Sequence, residues 1–157
     1  MNIRPATVDD AAGIARVHIQ SWRETYSALV EPGELDHLSL ERRTDRWRQI
    51  IGDGGQVWVA LSGDEVVGFA GLGGGDHEDP PRPIELGSLY VLAEQHGSGA
   101  GQGLLDAAIG DSPAYLFVAA HNPRATRFYE RNGFALDGVT EQHTLAITPI
   151  LALRMVR

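Results

Sequence analysis

The sequence predicts a single α/β domain over residues 1–157, with helices early in the chain and strands throughout. Its 157 residues match one domain of ordinary size, and 43% of them are hydrophobic, which is enough to build a core. Apolar positions recur with helical spacing near the N-terminus and as strand-like runs from residue 56 onward. The sequence shows no repeat, linker or low-complexity tract that would divide it.

A strand and two helices are predicted in the first third of the chain. A short strand ends at residues 3–5, and Thr7 is placed to cap the helix that follows. Apolar side chains recur along this helix every three to four residues up to Tyr26. Residues 31–33 (Glu-Pro-Gly) break the pattern, and a second helix is predicted over residues 34–51.

The hydrophobic period changes after residue 55, where apolar runs alternate with turn-type residues. Runs at 56–61 and 66–70, joined by four turn-type residues, predict a β-hairpin. A loop rich in Gly, Asp and Pro then extends to Pro83. The remaining predictions are a strand at 84–92, a helix at 104–109, a strand at 114–119, a helix at 124–131 and closing strands at about 135–140 and 147–156.

The composition excludes several function classes. The net charge of -8 disfavours a nucleic-acid binder, which would normally present a basic face. The sequence has no Cys, which excludes disulfides, thiolate metal sites and a cysteine nucleophile. All basic residues are Arg, and the absence of Lys removes the Walker-type phosphate loop and Schiff-base chemistry. With no long apolar run and no signal-peptide core at the N-terminus, we expect a cytoplasmic protein with no membrane contact.

A glycine-rich segment at residues 96–103 is the most informative local pattern. Four glycines alternate directly after a predicted strand and before a predicted helix. Such a turn lets a ligand approach the backbone, and the helix N-terminus offers unpaired N–H groups, so the pattern predicts a phosphate or pyrophosphate site. The alternative is a flexible loop with no ligand. A dinucleotide fingerprint fails because Gln102 or Leu104 stands where its third glycine is needed.

Three motifs stand in order along the chain: IELGSLYV at residues 84–91, HGSGAG at 96–101 and NPRATRFYERNGF at 122–134. Together they resemble the GNAT superfamily of acetyl-coenzyme A dependent N-acetyltransferases, and the resemblance covers almost the whole chain. It implies a central, mixed, mostly antiparallel sheet of about seven strands, splayed between strands 4 and 5 and flanked by about four helices. It also implies an acyltransferase that uses acetyl-CoA as co-substrate.

The resemblance assigns a set of residues to the cofactor. Strand backbone would line the pantetheine arm, and the glycine segment would hold the pyrophosphate. Asn122 would hydrogen-bond the cofactor, although an Asn before Pro123 is equally well explained as a helix cap. His96 stands where the family usually has Gln or Arg, and Ser98 stands where it often has Arg or Lys. These replacements reduce the positive side-chain charge available to the pyrophosphate. The implied cofactor residues are Leu89, Tyr90, Val91, His96, Gly97, Ser98, Gly99, Ala100, Gly101 and Asn122.

The resemblance also assigns three catalytic functions. The backbone N–H of Leu89 would donate to the thioester carbonyl. Glu85 is the candidate general base, and because it lies about 13 Å from Leu89 along the strand it would act through water; the alternative is an exposed strand-start residue paired with an Arg. Tyr129 is the candidate general acid, and the alternative is a core aromatic residue. Since no Cys can form an acyl-enzyme, direct attack in a ternary complex is the simplest mechanism.

The acceptor is expected to be a small-molecule or peptide amine. The resemblance implies that the acceptor enters beside the first two helices and the loop before the fourth strand, at Trp22, Glu24, Tyr26, Asp36, His37 and the acidic segment 76–79, close to Glu85. Aromatics and carboxylates would suit a cationic amine, but Trp22 and Tyr26 on a helix face also suit a core, and an acidic loop also suits solvent. No metal is predicted, because the six His residues form no ligand spacing. Self-association is common in the family, so a homodimer is an open expectation that nothing in the sequence itself indicates. The alternative function is a non-catalytic CoA-binding or sensing module that kept the fold.

Overall fold

The computed structural model describes residues 1–31, 33–73, 77–145 and 148–157. In this part of the chain, seven strands form two sheets, ordered β1-β2-β3-β4 and β5-β7-β6, with four α-helices. The predicted α/β fold is confirmed. The single splayed sheet implied by the resemblance is here two sheets, with β4 in the first and β5 in the second. The elements are β1 (Asn2–Pro5), α1 (Ala11–Tyr26), α2 (Leu40–Gly52), β2 (Val57–Ser62), β3 (Glu65–Leu72), β4 (Leu86–Val91), α3 (Ala100–Ala108), β5 (Tyr115–Ala119), α4 (Pro123–Arg131), β6 (Ala135–Leu145) and β7 (Thr148–Val156).

The chain forms two compact units. The first contains residues 1–72 and 88–111, and the second contains residues 73–87 and 112–157. In the first unit, α1 packs on α2 and β3, and α3 packs on the first three strands. Buried apolar side chains from these elements form its core, among them Ile14, Val17, Val59, Phe69 and Leu104.

An ion pair and a cap fix the start of α1. The Arg4 guanidinium of β1 donates to both carboxylate oxygens of Asp10, at 2.7 and 3.0 Å. The backbone N–H of Thr7 donates to the same carboxylate at 2.7 Å. Hydrogen bonding to Arg4 lowers the pKa of Asp10 despite its burial. Thr7 is thus the N-cap residue of a short 3-10 turn (Val8–Asp10), and Asp10 occupies the N-cap position of α1 itself.

The second predicted helix is two elements rather than one. A 3-10 turn covers Glu34–His37, and α2 begins only at Leu40. The Ser39 hydroxyl accepts the N–H of Arg42 at 3.2 Å and so starts a new helix. The continuous helix predicted over 34–51 was wrong at this point, because an N-cap residue inside an apolar pattern is a local stop that periodicity does not show.

Helix α3 begins four residues earlier than predicted. It starts at Ala100, so Gly101 and Gly103 lie inside the helix rather than in a loop. At Gly103 an added Cβ would lie 3.1 Å from the Ile3 side chain, so this glycine allows α3 to approach β1. Glycine lowers helix propensity but does not prevent a helix that tertiary packing supports.

The second unit is built on the three-stranded sheet β5-β7-β6, with β7 in the middle. Its buried side chains include Tyr115, Leu116, Phe134 and Met155. Strand β6 continues to Leu145, beyond the predicted end at Thr140, and pairs with β7 along this extension. The extension is polar, so hydrophobicity gave no strand signal there.

Candidate active site

The glycine turn of the first unit lies between β4 and α3, as predicted. Gly97 and Gly99 have backbone φ angles of +84° and +91°, which L side chains rarely adopt. An added Cβ at either residue would meet no atom within 4 Å, so this side of the turn is open. The amides of Gly97 and Gly99 donate to no other described residue. The turn therefore presents backbone donors next to the N-terminus of a nine-residue helix.

Two side chains of the turn contact the protein's own backbone. A ring nitrogen of His96 lies 3.0 Å from the carbonyl oxygen of Val91. The Ser98 hydroxyl accepts the N–H of Ala100, the first residue of α3, at 3.3 Å. The side chain at position 98 thus uses one of the donors that the helix N-terminus could offer to an anion.

Of the predicted strand residues, Tyr90 packs through its side chain into the first unit. Its hydroxyl accepts the indole N–H of Trp22 at 3.1 Å, and burial raises its pKa. The Arg43 guanidinium lies 4.8 Å from the centre of the Trp22 ring. Trp22 therefore has a structural contact, and an acceptor-binding function for it stays a prediction. Tyr26, in the last turn of α1, is half-buried, and burial raises its pKa.

A cleft of about 440 Å³ lies in the first unit along α1. The Glu24 carboxylate on its wall accepts the N–H of Ala93, at the start of a short 3-10 turn after β4, at 3.0 Å. This bond ties α1 to the segment that leads into the glycine turn. The cleft is lined by Arg16, Ile19, Gln20, Arg23, Glu24, Leu38, Leu40, Leu92 and Glu94.

In the second unit, Glu85 lies directly before β4 with its carboxylate largely buried. Its side chain is 13% exposed, and the residue forms an isolated parallel bridge with Tyr115. One carboxylate oxygen lies 3.3 Å from His77 Nε2, and the other lies 3.4 Å from the Tyr115 hydroxyl. Burial and the Glu85 charge raise the pKa of Tyr115, so this phenol keeps its proton. The alternative explanation of Glu85 was an exposed residue paired with an Arg. Among the contacts described here, the ion-pair partner of Glu85 is His77 rather than an Arg.

The contacts of Glu85 continue across the second unit. His77 Nδ1 lies 3.2 Å from Glu141 Oε1, and the other Glu141 oxygen lies 2.9 Å from His143 Nε2. Tyr115, Glu141 and His143 are site residues that were not predicted from the sequence. Strand parity could have linked two of them, because Glu141 and His143 are two residues apart and point to the same face of β6. Asp76, predicted as part of the acidic segment, lies outside the described residues.

Two predicted site residues lie on α4. The Asn122 side chain accepts the N–H of Ala125 at 3.2 Å, so it caps this helix. Tyr129 is 8% exposed, and its ring packs edge-on against Phe128 and Phe134. Asn122 is therefore a helix cap and Tyr129 is a buried aromatic residue, as their structural explanations required. Their functions in cofactor binding and catalysis stay predictions.

Among the residues that the structure describes, no helix combines the length and the apolar character needed to cross a lipid bilayer. The described segments also contain no group of three or more His, Cys, Asp or Glu arranged to hold a metal ion.

The order of strands and helices, with the change of sheet between β4 and β5, is that of an acetyltransferase fold. The chain belongs to the acetyltransferase (GNAT) family, whose sequence profile matches residues 19–134. The family resemblance carried by the three motifs is therefore confirmed.

Similar proteins agree with this assignment. The chain is 30% identical over 146 residues to the protein named Probable N-acetyltransferase Rv2775 from Mycobacterium tuberculosis, covering 89% of this chain and 83% of that protein. In fold it is similar to the ribosomal-protein-alanine N-acetyltransferase from Brucella melitensis, with a TM-score of 0.73, 24% identity and coverage of 100% and 99% of the two chains. It is also similar in fold to YncA from Salmonella typhimurium, described as "a putative acetyltransferase" and solved with its cofactor acetyl-CoA, with a TM-score of 0.73, 20% identity and coverage of 100% and 92%. Family membership and the mycobacterial relative support acetyl transfer as the general class of reaction, and the two solved structures agree with the fold.

Proposed function

We propose that this protein transfers an acetyl group from acetyl-CoA to a primary amine of a small molecule or peptide, by direct attack of the amine in a ternary complex. Family membership and the acetyl-CoA bound to YncA support the co-substrate. A sequence without Cys cannot carry the acetyl group as a cysteine thioester, which favours direct attack. The observation that carries the proposal is the largely buried carboxylate of Glu85, held between His77 and Tyr115.

The glycine turn would hold the pyrophosphate of the cofactor. The open amides of Gly97 and Gly99 supply donors, and the positive end of the α3 dipole adds attraction for the phosphate charge. Ala100 and Gly101, in the first turn of α3, would bring their backbone close to the same anion. The backbone of residues 89–91 would pair with the amides of the pantetheine arm, because strand groups that lack a neighbour need hydrogen-bond partners.

Three groups would carry the chemistry. Glu85 would take a proton from the ammonium form of the acceptor through water, since an amine attacks a thioester only when it is uncharged. The N–H of Leu89 would stabilise the oxyanion of the tetrahedral intermediate. Tyr129 would give its proton to the departing thiolate, as a phenol that is protonated at neutral pH can. The functions of Leu89 and Tyr129 rest on their match to the family motif, and that of Glu85 rests also on its contacts with His77 and Tyr115.

The test begins with calorimetric titration of the protein with acetyl-CoA and with free CoA. Micromolar binding, followed by amine-dependent release of CoA thiol in a screen of primary amines, is the expected result. Glu85→Gln should lower kcat by about 100-fold at neutral pH, because general bases contribute on this scale. The matched control is Glu130→Gln, which removes an exposed carboxylate of α4 in the same unit. Turnover by Glu85→Gln at the wild-type rate would remove the assigned base.

A second function, CoA binding without catalysis, is favoured by one observation. The Ser98 hydroxyl already accepts the N–H of Ala100, so fewer donors remain for the pyrophosphate than in a turn with a basic side chain at this position. Tight CoA binding with no thiol release from any amine would select this alternative. The single domain over residues 1–157, the homodimer and the cytoplasmic location stay predictions.

A further inference from the structure

The imidazole of His77 lies between two carboxylates of the second unit. Its Nε2 is 3.3 Å from Glu85 Oε1, and its Nδ1 is 3.2 Å from Glu141 Oε1. Both ring nitrogens therefore face a carboxylate oxygen, one on each side of the ring. The three residues Glu85, His77 and Glu141 are called the carboxylate-imidazole triad below.

Aromatic side chains and a second histidine hold the triad in place. The His77 ring stacks on Phe117 of β5, with centroids 5.2 Å apart and an interplanar angle of 29°. Its edge also meets the Tyr115 ring at a centroid distance of 5.9 Å. On the far side, His143 Nε2 lies 2.9 Å from the outer oxygen of Glu141. The ring is thus fixed in its plane by β5 and at its edge by the two carboxylates.

The number of protons on the ring decides how many of these contacts are hydrogen bonds. A neutral imidazole has one N–H, so one nitrogen would face a carboxylate with its lone pair. The imidazolium has two N–H groups and can donate to both carboxylates. With a neutral ring, one of the two ring nitrogens carries no proton although it faces a carboxylate. The carboxylate-imidazole triad can therefore take up one further proton at that nitrogen.

The other charged and titratable groups named here do not take the contacts that a protonated His77 ring would make. Tyr115 points its hydroxyl at the second oxygen of Glu85 and acts as a donor there. Arg154 of β7, the nearby cation of the sheet, is paired with Asp137 at 2.6 Å. Solvent exposure rises along the contacts, from 13% for Glu85 to 31% for His77, 34% for Glu141 and 50% for His143. A proton on the ring is therefore within reach of water.

We propose that His77 is a positioning residue that acts through Glu85 and receives the proton that Glu85 takes from the acceptor amine. This inference rests on the proposed function. The ammonium N–H bond breaks as an O–H bond forms on the intervening water, and another O–H bond of that water breaks as one forms on Glu85. The Glu85 O–H bond breaks in turn as an N–H bond forms at His77 Nε2. The imidazolium then lies between two ionised carboxylates, and its proton passes to solvent after the product leaves. Glu141 orients the ring so that Nε2 faces Glu85.

The kinetic test compares His77→Gln and Glu141→Gln with the control Glu130→Gln. Gln keeps a polar side chain of similar length at position 77 but cannot take up a proton. At pH 7, His77→Gln should lower kcat by about 100-fold, within the usual range for proton-transfer groups, and leave the acetyl-CoA dissociation constant unchanged. The defect should shrink near pH 10, where about 30% of an alkyl amine with an ordinary pKa of roughly 10.4 is already uncharged, against less than about 0.1% at pH 7. Added imidazole should restore part of the activity of His77→Ala.

A structural contribution of His77 would give a different pattern. A loss of kcat that is equal at pH 7 and pH 10, or wild-type kcat in His77→Gln, would overturn the proposal while amine acetylation by the wild-type protein stands. If the wild-type protein released no thiol with any amine, the proposed function would fail and this inference with it. The two failures are therefore distinguishable in one assay.

A second readout does not depend on activity. The ¹⁵N resonances of the His77 ring should shift in both Glu85→Gln and Glu141→Gln, because each variant removes one carboxylate from one ring nitrogen. The resonances should stay in place in Glu130→Gln. A His77 ring that responds to neither triad variant would show that the carboxylate-imidazole triad does not exist in solution and would overturn the inference.

Discussion

Lowering the pH should destabilise the first unit through one buried side chain, His18 of α1. The His18 ring is 9% exposed and lies among aromatic rings, 4.6 Å from Trp22 and 5.0 Å from Tyr90 between centroids. Its Nδ1 accepts the indole N–H of Trp47 at 3.3 Å, which requires this nitrogen to be unprotonated. Protonation would place a charge in an apolar site and break this hydrogen bond.

The size of the effect follows from the pKa. Burial, and to a smaller extent the charge of Arg43, lowers the pKa of His18 from 6.5 to about 3. Between these values the unfolded chain binds a proton at this ring and the folded protein does not. The contribution of His18 to stability is therefore complete above pH 6.5 and is lost as the pH falls toward 3. The loss is about 1.4 kcal/mol per pH unit, so acidification from pH 6.5 to 4.5 should cost about 2 to 3 kcal/mol.

Urea unfolding followed by tryptophan fluorescence measures this loss. His18→Gln keeps an acceptor for Trp47 but cannot be protonated, so we expect it to be less stable than wild type at pH 7 and to lose most of the pH dependence between 6.5 and 4.5. His96→Gln, which removes an exposed histidine of the same unit, should keep the wild-type slope. A free energy of unfolding that stays constant in wild type over this range, or a His18→Gln variant with the full slope, would refute the reasoning.

Three further predictions concern glycines and a cap. Gly73→Ala would place a Cβ 2.7 Å from the Glu85 carboxylate, so kcat measured by thiol release should fall by about tenfold with acetyl-CoA binding unchanged. Gly99→Ala must adopt a φ of +91° at a cost of roughly 1 to 2 kcal/mol, and calorimetry should show about tenfold weaker acetyl-CoA binding. Asn122→Ala removes the cap on Ala125 and should lower the free energy of unfolding by about 1 kcal/mol, whereas Asn122→Asp should retain most of it.

The sequence was sufficient for the fold because local signals and motif order agreed. The hairpin shows this agreement: β2 and β3 are joined by Gly63 and Asp64, and Gly63 adopts the positive φ of +61° that such a two-residue turn needs. The helix starts were less predictable. Ser39 and Asn122 are both capping residues, but only the structure shows that the first divides a predicted helix.

The environment of Glu85 could not be predicted, because it depends on residues distant in sequence. Glu141 lies on the part of β6 that hydrophobicity did not predict. A β-bulge near Gly138, with a φ of +87°, interrupts the register of β6 with β7. The N–H of Val139 donates to the side chain of Asp137 at 3.0 Å within this irregular stretch. The strand was predicted to end at Thr140, two residues after this Asp-Gly pair, while in the structure it continues to Leu145.

The composition of one sheet face argues against the alternative explanation of Glu85 as an exposed residue paired with an Arg, and supports our proposal. The register of β5 and β6 with β7 places Tyr115, Phe117, Glu141 and His143 on the same face. Stacked aromatic rings are not expected on a face that is only exposed to solvent. An ionised carboxylate is not expected on a face that is only part of the core, because burying an unpaired charge is costly. A histidine ring is held in one orientation when aromatic rings pack against its plane and carboxylates face its two nitrogens, as they do at His77. The same arrangement turns Glu85 from an isolated strand-start residue into one end of a charged network, and this is why we assign it the proton of the acceptor amine.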